Sequence, residues 1–177
     1  MDGARLLNAS AATGVTPAQY AEHYDSAWLD FSKGLGAPVG ACLAGSREFI
    51  ERAWVIKQRL GGAMRQAGII AAGALYALDH HVQRLGDDHV NAKRHAQGLA
   101  AMPGIILDAA SVETNIVFFQ IDVKRLGFDA AEFSRRLASH DVRIGPFDTQ
   151  TLRAVTHLDV SADDIEHVLR VAASCLA

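Results

Sequence analysis

Sulfur chemistry is scarce in this chain. Cys42 and Cys175 are its only cysteines, far apart and with no Cys-x-x-Cys pair, which fits a reducing compartment and leads us to expect a cytoplasmic location. Long apolar runs are missing too. No segment carries 18 uninterrupted apolar residues, so no membrane span is expected. The opening Met1-Asp2-Gly3-Ala4-Arg5 lacks a basic region ahead of an apolar core, so no secretory signal is visible. Charge of one sign is not in excess either. A net charge of −3 makes no electrostatic case for nucleic acid or an anionic membrane as a partner. Eight histidines are present, but none forms His-Glu-x-x-His or another helical two-ligand spacing with a third ligand nearby. His80 and His81 are adjacent, and His89 and His95 are six apart, so no metal site is expected. There is no low-complexity segment and no convincing internal repeat.

What is present is an ordinary globular composition, 50% hydrophobic and 21% charged, in 177 residues. That length suffices for one domain with its core, or for one and a half. Residues 1–10 read as the interior of a longer fold, because Leu6, Leu7 and Ala9 follow Asp2 and Arg5 with no polar lead-in. Thr16 and Pro17 predict the cap and first position of a helix to about His23. Strands are expected over 27–31 and 39–43, and a helix capped by Ser46 to about Leu60. A long helical region from Ala63, apolar nearly all round over 69–78, is expected to be buried or packed against a partner. A more polar helix over about 82–100 follows.

After Met102-Pro103-Gly104 the character changes. Strands are predicted over 105–107, 115–121, 141–144 and 152–158. Asp129-x-x-Glu132 caps one helix, and Ser161-x-x-Asp164 opens a last amphipathic one. The pattern is α/β, with strands and helices of a larger sheet first and a small α+β unit last.

One residue stands out chemically. Lys33 follows the apolar run Ala27-Trp28-Leu29-Asp30-Phe31 and precedes Gly34, Gly36, Pro38 and Gly40, which prevent a helix from following directly. A lysine held partly out of water at a strand mouth is a candidate nucleophile that can condense with a carbonyl cofactor. The alternative is a surface lysine at a strand end. Asp2 with Arg5 can likewise be a polar surface pair, and Arg153 an exposed strand residue.

Asp2-Gly3-Ala4-Arg5, Ser32-Lys33-Gly34-Leu35-Gly36-Ala37-Pro38-Val39-Gly40, Gly61-Gly62-Ala63-Met64-Arg65-Gln66 and Arg153-Ala154-Val155-Thr156-His157-Leu158-Asp159-Val160, in that order, resemble the threonine aldolase family. The resemblance covers essentially the whole chain but only the C-terminal half of the family's polypeptide. It implies a partial pyridoxal-phosphate (PLP) enzyme of fold type I, with the remainder of the large PLP-binding domain over 1–84 and a small α+β domain over 85–177. It implies retro-aldol cleavage of L-threonine, L-allo-threonine and related β-hydroxy-α-amino acids to glycine and an aldehyde. It makes Lys33 the Schiff-base lysine, Asp2 the partner of the pyridinium nitrogen, and Arg5 and Arg153 the clamp on the substrate carboxylate. Arg65 becomes a contact to the cofactor phosphate, in the family across a subunit interface, so a homo-oligomer is implied. The groups that the other half supplies have no counterpart here, and the base for the substrate hydroxyl is not assigned. The expectation is therefore a chain that binds PLP poorly and is inactive alone. The rival expectation is a non-catalytic fragment, or an associating subunit of a split or decayed enzyme.

Overall fold

The computed structural model describes residues 1–176, and the chain divides into two compact units, Met1–Gly86 and Asp87–Ala177. The first holds β1 (Asp2–Gly3), α1 (Leu6–Thr13), α2 (Pro17–Ala21), β2 (Ser26–Asp30), β3 (Ala41–Gly45), α3 (Arg47–Arg59) and α4 (Gly68–His80). Its sheet has the order β1-β2-β3, with β1 parallel and β3 antiparallel to β2. Asp2 lies opposite Trp28, which lies opposite Leu43, while Asp30 lies opposite Ala41. Residues in register share a face, and side chains alternate along a strand. Asp2, Trp28, Asp30, Ala41 and Leu43 therefore line one face, and Gly3 and Leu29 the other.

The core of this unit is small: Leu35, Ala37 and Ala77, with Leu7, Phe31 and Val82 against them. Gly34 sits in this packing. A Cβ there would come within 2.4 Å of Asn8 Oδ1 and 3.2 Å of Leu85 Cδ2, so only glycine lets the turn after Lys33 close down. α3 buries none of its residues, and α4 buries only Ala74 and Ala77. Ser46 caps α3 by accepting from the Phe49 amide at 3.2 Å. Ser46→Ala should lower the stability of this unit by about 1 kcal/mol. Both tryptophans, Trp28 and Trp54, lie in this unit, so urea unfolding followed by tryptophan fluorescence checks it. An unchanged midpoint would mean that the cap contributes nothing.

The second unit is built on a four-stranded antiparallel sheet of β4 (Ile105–Ile106), β5 (Ile116–Ile121), β6 (Gly145–Pro146) and β7 (Thr151–Val155), ordered β4-β5-β7-β6. Alternation places Val117, Phe119 and Ile121 of β5 and Leu152 and Ala154 of β7 inward. They form one core with α5 (Leu85–Ala100), α7 (Ala130–Ala138) and α8 (Ala162–Leu176), through residues such as Ala92, Ala96, Phe133, Leu137 and Ala172. Gly98 lets α8 come close, because a Cβ there would meet both methyl carbons of Leu169 at 2.5 Å. Asp129 caps α7 by accepting from the Glu132 amide at 2.8 Å, as the sequence pattern predicts.

Several expectations are corrected. α1 was not anticipated, because Arg5 at its N-cap makes no side-chain cap bond and no polar start signal precedes it. α4 begins at Gly68 rather than Ala63, since Gln66 takes a left-handed φ of 53° that interrupts the helix. Of the two expectations for its apolar residues, burial within this chain is not met, since Ile69 is 83% and Tyr76 59% accessible, which leaves packing against a partner. The strand expected over 141–144 does not form. Asp141 has a φ of 62°, and only Gly145–Pro146 pair with β7, although Val142 and Ile144 are buried. Two short elements escaped the sequence reading. They are a 3-10 turn at Ala109–Ser111 and α6 (Val123–Leu126), started by Asp108 and Asp122 through bonds to the Ala110 and Arg125 amides.

Candidate functional site

Lys33 lies just beyond β2, in the loop that leads toward β3. Its Nζ stands 3.3 Å from Asp30 Oδ2 and 5.3 Å from the centre of the Trp28 ring. The side chain of Lys33 is 37% accessible. Asp30 is much less so, at 11%, and its other oxygen, Oδ1, accepts from the Ser32 amide and hydroxyl, both at 2.6 Å. Burial acts to raise the Asp30 carboxyl. The Ser32 hydroxyl and amide, and then the Lys33 hydrogen bond and charge, outweigh it and hold Asp30 below its ordinary value.

Asp2 shares the Trp28 face, with its Oδ1 accepting from the Ala4 amide at 2.9 Å and its side chain exposed. The face thus gathers a primary amine (Lys33), a carboxylate (Asp2) whose Oδ1 alone is hydrogen-bonded among the described residues, and an indole ring (Trp28). Sequence reasoning named Lys33 and Asp2 but missed Trp28, Asp30 and Ser32. The spacing Asp30-x-Ser32-Lys33 was the available signal, since an aspartate commonly accepts from the amide two residues on.

Arg5 sits at the start of α1 with its Nε buried, beside a very small cavity lined by Leu29, Asn8, Gly34, Leu35 and Leu85. Arg65 is exposed in the connection between α3 and α4. In the second unit Arg153 lies on the outer face of β7, in register with Phe118 and with its guanidinium 5.8 Å from that ring's centre. Phe118 in turn meets Phe147 edge to face at 5.4 Å, and both rings are exposed. Arg153 also lines a cleft of about 420 Å³ with Arg143, His157, Asp164 and the buried His95. Among the described residues no cluster of three or more His, Cys, Asp or Glu could hold a metal ion, and no helix is long and apolar enough to cross a membrane.

PLP, the group that the resemblance implies, needs an amine for its aldehyde carbon and a carboxylate for its ring nitrogen. Lys33 and Asp2 bring these to one sheet face. The donor set of this face fits the group.

The comparisons agree with the fold. A low-specificity L-threonine aldolase of Arabidopsis thaliana is 39% identical over 170 residues, covering 96% of this chain and 47% of its own length. Among solved structures, a threonine aldolase of Leishmania major superposes with a TM-score of 0.72 at 18% identity, over 99% of this chain and 51% of its own. A structure of SPT with a PLP internal aldimine reaches 0.67 at 19% identity, over 90% of this chain and 42% of its own. The α/β fold expected of a partial fold type I enzyme is the fold that these structures share. The chain spans about half the length of the relatives it matches. The beta-eliminating lyase model matches residues 1–122, a stretch holding Asp2, Lys33 and the whole Trp28 face, and on that match the chain belongs to the beta-eliminating lyase family.

Proposed function

We propose that this chain is the lysine-bearing part of a PLP-dependent lyase of the threonine aldolase type. Such an enzyme cleaves L-threonine, L-allo-threonine and related β-hydroxy-α-amino acids to glycine and an aldehyde. The observation that carries this reading is the placement of Lys33 and Asp2 on the same sheet face as Trp28 in a family member. When bound, the cofactor supplies an aldehyde carbon for amine condensation and a conjugated ring that takes up the electrons released at the substrate's Cα.

The residues of this chain supply the rest. Lys33 Nζ, in its neutral form, would be the amine that holds the cofactor's aldehyde carbon. Asp2 would hold the cofactor's ring nitrogen, where a carboxylate would keep the proton on it and so sustain the ring's pull on electrons. Trp28 offers an apolar wall and excludes water from one side of Nζ. Arg5 and Arg153 are assigned to the substrate carboxylate, where two parallel N–H bonds fix its orientation. Arg65 is assigned to the cofactor phosphate. For Arg5, Arg65 and Arg153, the support is their motif; the guanidinium fork is the chemistry.

Activity is proposed to need a partner polypeptide, either further copies of the chain or one that supplies the remaining length of the relatives. The first unit favours this reading, because Leu60 and Ile69 are more than 80% accessible and Trp54 and Met64 are exposed as well. Exposed apolar residues in such number mark an association surface. The same observation favours the second reading, a silent associating subunit.

Borohydride reduction of the chain with PLP, followed by peptide mass spectrometry, separates the two. A reduced adduct at Lys33, weak in the chain alone and strong once the first half of a threonine aldolase is added, is the expected result. It should vanish in Lys33→Arg. No Lys33 adduct with or without that half would overturn the enzymatic reading and leave the silent subunit.

A further inference from the structure

Lys33 has a companion that neither its motif nor the family match assigns. The Asp30 side chain is only 11% accessible, and its two oxygens are used separately: Oδ1 accepts both donors of Ser32, and Oδ2 faces Lys33 Nζ at 3.3 Å. The Ser32 bonds fix the carboxylate's rotamer. The fixed carboxylate then fixes the ammonium, which it draws over the Trp28 ring. A four-carbon side chain that is 37% accessible would otherwise sample many rotamers. Asp2 lies on the same face, but its Oδ1 is engaged by Ala4.

From this arrangement we infer that Asp30 is a positioning residue for Lys33: held by Ser32, it parks the ammonium over Trp28 and restrains the amine's reactivity toward carbonyl carbons. The inference rests on the proposed function, in which Lys33 is the reacting amine. The amine becomes nucleophilic only when its proton leaves and the Asp30 contact breaks. Asp30 thus sets both where Nζ waits and how readily it reacts.

The test reads Lys33 directly and needs no cofactor. The full chain is acylated with a trace of acetic anhydride at one fixed, mildly alkaline pH. Peptide mass spectrometry then gives the rate of Lys33 relative to Lys124, an exposed lysine of α6 that serves as the internal standard. Asp30→Asn should raise the Lys33/Lys124 ratio roughly three- to tenfold, the range expected for removing a close carboxylate that is partly screened by water. Asp30→Glu, which keeps the charge, should stay near the parent. An unchanged ratio in Asp30→Asn overturns the inference. If all lysines of Asp30→Asn accelerate together because the unit has unfolded, the parent chain in rising sodium chloride decides. A ratio that climbs about twofold supports the pair, and a flat ratio overturns it. A PLP adduct at Lys33 alongside unchanged labelling would leave the proposed function standing and remove only the role of Asp30.

Discussion

Phe133→Ala is expected to strip the second unit of about 3–5 kcal/mol, a large share of the 5–15 kcal/mol that holds a typical domain together. Phe133 is fully buried on the inner face of α7, where Ala130, Phe133 and Leu137 form the stripe against the sheet. Its ring stacks on Phe128 at 6.2 Å, and the guanidinium of Arg136 lies over the Phe128 ring at 4.0 Å. Truncation removes the transfer gain of the ring and leaves a cavity that β5, β7 and α8 close only in part. No tryptophan lies in this unit, so fluorescence is silent there. Hydrogen exchange of the β5 amides is the better reporter. Protection of residues 116–121 should fall by roughly 10²- to 10⁴-fold, since each 1.4 kcal/mol is a factor of ten. A loss under tenfold would mean that the core repacks around the gap.

The second large effect is one of pH. His95 is 2% accessible on α5, its ring edge-on to Phe119 at 6.4 Å, and its Nε2 has no hydrogen-bond partner among the described residues. Burial pushes the imidazole down from about 6.5 to about 4, so the folded chain holds it neutral. Between those two values the unfolded chain takes up a proton that the folded chain refuses. The stability is fully present above about pH 6.5 and is lost progressively as the pH falls toward 4, about 3 kcal/mol in all. His95→Phe keeps the ring and removes the titrating group. The urea midpoint by far-ultraviolet circular dichroism should then drop less for the variant than for the parent between pH 7 and pH 4. Equal drops would show that His95 carries no part of the acid sensitivity.

These two residues also show why parts of the molecule were legible in advance and others were not. The stripe Ala130-Phe133-Leu137 and its cap Asp129 are local: three- and four-residue spacing and an i to i+3 bond state them within a single turn. Ser46 and Thr16 were readable for the same reason, and both form caps. The β5 strand declared itself as a short apolar, β-branched and aromatic run, and the structure supplied its alternating burial. His95 did not. Whether a histidine on a polar-looking helix faces water or Phe119 depends on which face of α5 the sheet covers.

The site divides along the same line. The chain's own residues determined the α/β class, the lysine before its glycine turn, the acidic residue near the start and the family to which both belong. Tertiary structure decided the company that Lys33 keeps. Trp28 and Asp2 are far apart in sequence and meet only because β1 pairs with β2 in one register. A slip of one residue would have sent Trp28 to the opposite face. The Asp30 contact is the exception: Ser32 and Lys33 lie two and three residues on, so it is local and its spacing was readable in advance. Strand register and burial are set by contacts between distant segments. Local pattern therefore names the reacting groups, and long-range pairing decides what surrounds them.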